Sequence, residues 1–184
     1  LPWISLIGFM CSGKSSTGKT LARHLGWPHY DTDALAVERT GMPIHEIFRT
    51  RGEAFFRALE YELVEELPPE RDLVLSTGGG LVLVERAMRI LAVQGPVFWL
   101  RVEAEEVVDR CRRPWAAPRP LLEEGEDLPD RVASLLRERE PLYARWGVPI
   151  PGGFAHPREA GRHILAILSA RKDFQPYFVD GEDA

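Results

Sequence analysis

Cysteine is nearly absent from this chain: Cys11 and Cys111 are the only two among 184 residues. That is too few for a disulfide-stapled scaffold, and neither has a second Cys or a His at metal-ligand spacing. The two fall in segments that read as unrelated, so a reducing compartment is expected. Lysine is almost as scarce, with Lys14, Lys19 and Lys172 the only three among 23 cationic residues; a lysine at a meaningful position is therefore no accident. There is no apolar run near the roughly 20 residues that cross a bilayer, and no leader pattern at the start. Nor is there an excess of positive charge. The formal net charge of −5 argues against a nucleic-acid partner, which needs a basic surface or stripe. We find no internal repeat. These absences predict a cytoplasmic protein with no membrane and no nucleic-acid partner, expected to be a monomer. Leu1 stands where Met would start a chain, which leaves removed residues or a longer polypeptide open.

What is present is ordinary globular composition, 45% hydrophobic and 28% charged, in a length that suits one domain. A single domain is expected over residues 1–170, followed by a flexible tail over 171–184. Trp3 to Ile7 reads as a buried strand ended by Gly8, and a helical pattern from Lys14 ends at Gly26. Residues 33 to 66 read as mainly helical, broken at Gly41-Met42-Pro43 and near Gly52, with Phe56, Leu59, Leu63 and Leu67 on one face. Leu73 to Leu75 and Pro96 to Leu100 read as strands, Val148 to Ile150 as a last one. Helices are expected between Ala104 and Arg112, Leu128 and Trp146, and Arg158 and Ala170. Strands alternating with helices predict an α/β fold with a mostly parallel sheet between helical layers. Residues 114 to 127, proline-rich and then acidic, read either as a solvated loop or as a mobile lid.

The most specific local pattern is Gly8-Phe9-Met10-Cys11-Ser12-Gly13-Lys14-Ser15, which matches G-x-x-x-x-G-K-[ST] between a strand and a helix. Glycines let backbone N–H groups turn toward phosphate oxygens, the helix N-terminus adds partial positive charge, and Lys14 adds a full one. Ser15 is placed to hold Mg²⁺. A nucleoside triphosphate is the expected ligand. An Asn-Lys-x-Asp guanine motif is missing, and a small single domain favours transfer to a small molecule over a motor. Asp31-Thr32-Asp33 offers two carboxylates that share a side if the chain is extended there; a helix cap is the alternative. Thr77-Gly78-Gly79-Gly80 reads as a turn, or as backbone approaching a ligand at the carboxyl edge of the sheet.

Taken in order, these residues resemble the shikimate kinase family. The phosphate loop, Asp31-Thr32-Asp33, Phe56-Arg57 with Glu60, Gly78-Gly79-Gly80, Arg119-Pro120-Leu121-Leu122 and Arg139-Glu140-Pro141-Leu142-Tyr143 follow the family's sequence of motifs from about residue 3 to 170. The resemblance implies a five-stranded parallel sheet of the P-loop kinase type with a mobile lid, and ATP-dependent phosphorylation of the 3-hydroxyl of shikimate in aromatic amino-acid biosynthesis. It implies ATP binding at Gly8, Cys11, Ser12, Gly13, Lys14, Ser15 and Ser16, with Arg113, Arg119 and Pro157 completing the nucleotide site. Arg112 is an alternative to Arg113 at the adenine, and His156 is a neighbour of Pro157 there. Mg²⁺ is assigned to Ser15 and Asp31, the base to Asp33, and transition-state charge to Lys14 and Arg119. Asp33, Arg57, Gly78, Gly79, Gly80 and Arg139 are the implied substrate contacts. Glu60, one turn from Arg57, is read as its support or as an ordinary surface pair. The chain departs from the family pattern at Cys11, where Gly is common, at Ser16, where Thr is usual, and in the stiff stretch Pro114 to Pro118. Cys11 is expected to bring oxidant sensitivity. A gluconate kinase-like enzyme and a catalytically silent nucleotide-binding homologue are the rivals.

Overall fold

A computed structural model describes residues 2–113, 122, 127–152 and 156–171. Five strands form one sheet: β1 (Trp3–Ile7), β2 (His29–Asp31), β3 (Leu73–Ser76), β4 (Val97–Leu100) and β5 (Val148–Ile150). Their order across the sheet is β2-β3-β1-β4-β5, with every pairing parallel. The helices are α1 (Lys14–Leu25), α2 (Thr32–Thr40), α3 (Ile44–Glu65), α4 (Glu85–Gln94), α5 (Ala104–Cys111), α6 (Leu128–Trp146) and α7 (Pro157–Ser169), with a short 3₁₀ turn at Leu81–Leu83.

Parallel strands need helical crossovers, and crossovers cover both faces, so the central strands must be apolar throughout. Every residue of β1, β3 and β4 is buried. Side-chain alternation then divides the core. Trp3, Ile7, Leu73, Leu75, Val97 and Trp99 pack toward α4, α5 and α6. The intervening Ile4, Leu6, Val74, Phe98 and Leu100 meet Leu21 of α1 and Ile164 and Leu168 of α7. The outermost strands are less covered, and Pro149, which has no N–H to give, lies on one of them.

A third apolar cluster joins Ala36 of α2 to Ile47, Phe56, Leu59 and Leu63 of α3; of the face expected from the sequence, Leu67 lies past the end of α3 and packs with the main cluster instead. The break expected near Gly52 is a kink: Gly52 has φ 78°, a left-handed conformation that interrupts α3 without ending it. Among the described residues Cys11 is the one non-glycine with positive φ, at 61°. That conformation accounts for glycine suiting this loop position.

One open alternative is decided here and one expectation is corrected. Thr32 is not extended: it opens α2, and Asp31 is the helix N-cap, its Oδ1 accepting from the backbone N–H of Asp33 at 3.0 Å and of Ala34 at 3.4 Å. A short polar side chain at the end of β2 satisfies donors that a helix start otherwise leaves unpaired, and that capping gain outweighs continuing the strand. Second, Cys11 and Cys111 are not in unrelated segments. The sheet brings the loop after β1 against the end of α5, and the two sulfurs stand 3.5 Å apart. The stretches 114–121 and 123–126, with Arg119, and the tail 172–184 lie outside the described residues.

Candidate active site

Three carboxyl-edge segments meet at the same end of the sheet: the loop after β1, the β2–α2 junction and the turn after β3. Open parallel sheets bind ligands at that edge. Lys14, only 7% exposed, lies across its own loop, Nζ donating to the Phe9 carbonyl at 2.7 Å and to Ser12 Oγ at 3.2 Å. The first turn of α1 is anchored from below: Ser76 Oγ donates to the Lys14 carbonyl at 3.1 Å and pairs with His29 Nε2 at 2.9 Å. Burial, more than any charge nearby, lowers the His29 pKa and keeps the ring neutral.

Beside the loop, Ser15 Oγ donates to Asp31 Oδ2 at 2.5 Å. No group of three or more His, Cys, Asp or Glu side chains is arranged for a metal among the described residues. Magnesium does not need one. It binds through one or two protein oxygens and takes the rest of its shell from phosphate and water. A hydroxyl and a carboxylate in contact, with the carboxylate's other oxygen fixed by the α2 cap, fit that requirement.

Two cavities flank Lys14 and share Cys11, Gly13, Ser16, Arg110 and Arg113. One, of about 320 Å³, runs between Leu100, Arg101, Pro151, Gly152, His156 and Pro157. Arg113 lines it and Arg112 does not. The other, of about 270 Å³, is bounded by Lys14, Ser15, Asp33, Thr77 and Gly79.

The turn after β3 organises the second half of the site. Thr77 pins it to β1 through two hydrogen bonds to the Leu6 carbonyl, both 3.1 Å. Gly78 N–H donates to Thr32 Oγ1 at 2.7 Å, so that amide is committed to the fold. What Gly78 contributes is its missing side chain. A Cβ there would lie 2.5 Å from Glu60 Oε1 and 2.6 Å from Asp33 Oδ1, so two carboxylates from different helices flank one point. A Cβ on Gly80 would run into both terminal nitrogens of Arg57. The Gly79 carbonyl accepts from Tyr143 Oη at 2.5 Å and from Arg139 Nη1 at 3.3 Å. Arg139 and Tyr143 are four apart on α6 and therefore share a face.

Glu60 is not half of a surface pair. It is fully buried, and its Oε2 accepts from Arg57 Nη1 at 2.5 Å. Glu53 holds the other side of the same guanidinium, at 2.8 Å from Nη2. Burial acts to lower the Arg57 pKa, but Glu60 and Glu53 outweigh it and hold the group above its ordinary value. Glu60 Oε1 and Arg139 Nε are buried with no hydrogen-bond partner among the described residues. An unpaired buried donor or acceptor costs about 1–3 kcal/mol, a debt that a polar ligand can relieve. Burial also raises the Tyr143 pKa, so its hydroxyl stays a donor.

Burial pushes the Glu60 carboxyl up from 4.5 to about 7, and neighbouring Asp33 adds to the rise against the pull of Arg57. The folded protein then keeps a proton that the unfolded chain has released. Stability from this group is present below the unfolded pKa of 4.5 and is lost as pH rises toward 7. Relative to Glu60→Gln, the wild type is expected to lose about 2–3 kcal/mol between about pH 5 and about pH 7.5. Denaturant unfolding across that range checks it, and parallel pH curves for the two proteins would refute it.

Fold and site together define the P-loop kinase class: a phosphate-type loop at the carboxyl edge of a five-stranded parallel sheet, beside a turn on which carboxyl and guanidinium groups meet. The family model described as shikimate kinase matches residues 10–166, and the chain belongs to that family. A shikimate kinase from Moorella thermoacetica is 45% identical over 91% of this chain and 94% of its own length. The structure of shikimate kinase from Acinetobacter baumannii in complex with shikimate superimposes with a TM-score of 0.86 at 33% identity, covering 94% of this chain and 95% of that one. A gluconokinase from Sinorhizobium meliloti, at 18% identity and a TM-score of 0.59 over 97% of this chain and 98% of its own, shares the fold alone.

Of the residues expected to act, the structure brings Lys14, Ser15, Asp31, Asp33, Arg57, Arg139 and the Gly78–Gly80 turn to one edge. Tyr143 and Glu53 join them without an expected role. Each carries a local signal in the sequence: Tyr143 is four residues from Arg139, and Glu53 is four from Arg57.

Proposed function

We propose that this protein transfers the γ-phosphoryl group of ATP to the 3-hydroxyl of shikimate in the cytoplasm, giving shikimate 3-phosphate and ADP. One observation carries the reading. Arg57, Arg139, Glu60 and Asp33 converge on the Gly78–Gly80 turn within reach of the Lys14 loop, with two buried polar atoms left unpaired. A small anionic polyol supplies what those atoms lack.

The guanidinium groups of Arg57 and Arg139 hold the substrate carboxylate through paired hydrogen bonds. Asp33 accepts the proton of the attacking hydroxyl as its oxygen bonds to the γ-phosphorus and the bond to the β-phosphate oxygen breaks. Lys14 and the N-terminus of α1 neutralise phosphate charge, and the cavity lined by Arg113, His156 and Pro157 takes the base. Ser15 and Asp31 would hold Mg²⁺, which supplies charge neutralisation on the phosphates. Arg119, from its motif, is assigned to the transferring group, and residues 114–127 to a lid on a single domain. Positioning and charge supply most of the acceleration.

Coupled ADP release tests the reading. Shikimate should stimulate it at least about a hundredfold over the substrate-free rate, with gluconate inert. Stimulation by gluconate alone would transfer the assignment to sugar-acid kinases, and stimulation by neither would favour a silent nucleotide-binding protein.

A further inference from the structure

Cys11 and Cys111 are separated by a hundred positions in sequence, yet their sulfurs are 3.5 Å apart. Both are partly buried and pack against the same apolar cluster. Cys11 lines both cavities beside Lys14, so solvent-borne reagents reach it through the nucleotide pocket. The backbone around the pair is already held together: Arg110 Nη1, next to Cys111, donates to the Cys11 carbonyl at 2.6 Å. A disulfide requires sulfurs at about 2.05 Å, so closing the gap asks for about 1.5 Å of combined movement.

We infer that Cys11 and Cys111 form a reversible disulfide that controls access to the phosphate loop. With hydrogen peroxide as oxidant, the thiolate of one cysteine attacks a peroxide oxygen; the O–O bond breaks, hydroxide leaves and takes up the proton the thiol had released to become water, and a sulfenic acid remains. The sulfur of the second cysteine attacks the sulfenic sulfur, forming the S–S bond and expelling a second water. Two thiols are oxidised by two electrons in total, and one peroxide is reduced to two waters. A dithiol reverses the bond by exchange and is itself oxidised.

The bond ties two segments that both contribute to nucleotide binding. Cys11 immediately precedes Ser12, Gly13 and Lys14. Cys111 ends α5, two residues before Arg113 on the wall of the larger cavity. Drawing the sulfurs together pulls the loop apex toward α5, and displacements of about 1 Å near reacting groups cost up to about a hundredfold in rate. The oxidised protein is the low-affinity form for ATP. That consequence rests on the nucleotide reading above; the formation of the bond does not.

The test oxidises the reduced wild type with hydrogen peroxide and follows it by intact mass, peptide mapping and ADP release, before and after dithiothreitol. Expected are a mass loss of about 2 Da, one joined peptide containing Cys11 and Cys111, and a fall of at least about tenfold in kcat/KM for ATP that dithiothreitol restores. Cys111→Ser should match the reduced wild type in activity and form no joined peptide. Peroxide consumption without the joined peptide would overturn the inference. So would a joined peptide with unchanged kcat/KM. If reduced protein releases no ADP with shikimate, the functional reading fails, and the peptide map still decides the pairing.

Discussion

Asp33→Asn is expected to lower turnover with shikimate by about two to four orders of magnitude while ATP affinity stays within about twofold. Asparagine keeps the shape and the first-turn position on α2, and Asp31 still caps the backbone N–H of residue 33. What is lost is the proposed proton acceptor. The carboxylate faces the Gly78 turn on the same side as Lys14 and Ser15 but is no part of the loop that binds phosphate. The loss should therefore fall on kcat. Steady-state rates with a fluorescent nucleotide titration separate the two, and turnover within about threefold of wild type would remove Asp33 as the base.

Arg139→Lys is expected to raise the KM for shikimate by about ten- to a hundredfold with a smaller change in kcat, because charge-assisted bonds contribute about 1.5–3 kcal/mol each. Lysine keeps the charge and loses the fork. Arg139 is 2% exposed, spends Nη1 on the Gly79 carbonyl and leaves Nε without a partner among the described residues. A lysine ammonium cannot both serve that carbonyl and meet a carboxylate in two places. Initial rates against shikimate concentration check this; an unchanged KM would place the carboxylate away from α6.

Local chemistry made much of this site legible in the sequence. The Gly8–Ser15 loop is a contiguous motif with one mechanism, and buried parallel strands announce themselves as short apolar runs, so β1, β3 and β4 fall within a residue or so of expectation. Helix ends at Gly26 and Gly41 and the kink at Gly52 follow from backbone chemistry alone. Long-range placement was less accessible. Nothing near Cys11 or Cys111 says that α5 ends against the loop after β1, because that approach depends on how α5 and α6 pack on the sheet. The burial of Glu60 was hidden for the same reason. Its spacing from Arg57 fits an exposed helix pair equally well, and only the packing of α3 against the β3 turn takes it out of water. For Asp31, two competing local rules applied, and the cap prevailed over the extended chain.

Arg57 comes to the site already held on both sides, by Glu53 and by Glu60. A bare guanidinium in a crevice would attract chloride, sulfate or any metabolite bearing a negative group. Here an incoming anion must share the cation with two carboxyl groups already bonded to it, which favours an anion that also engages other walls of the pocket over simple inorganic salt.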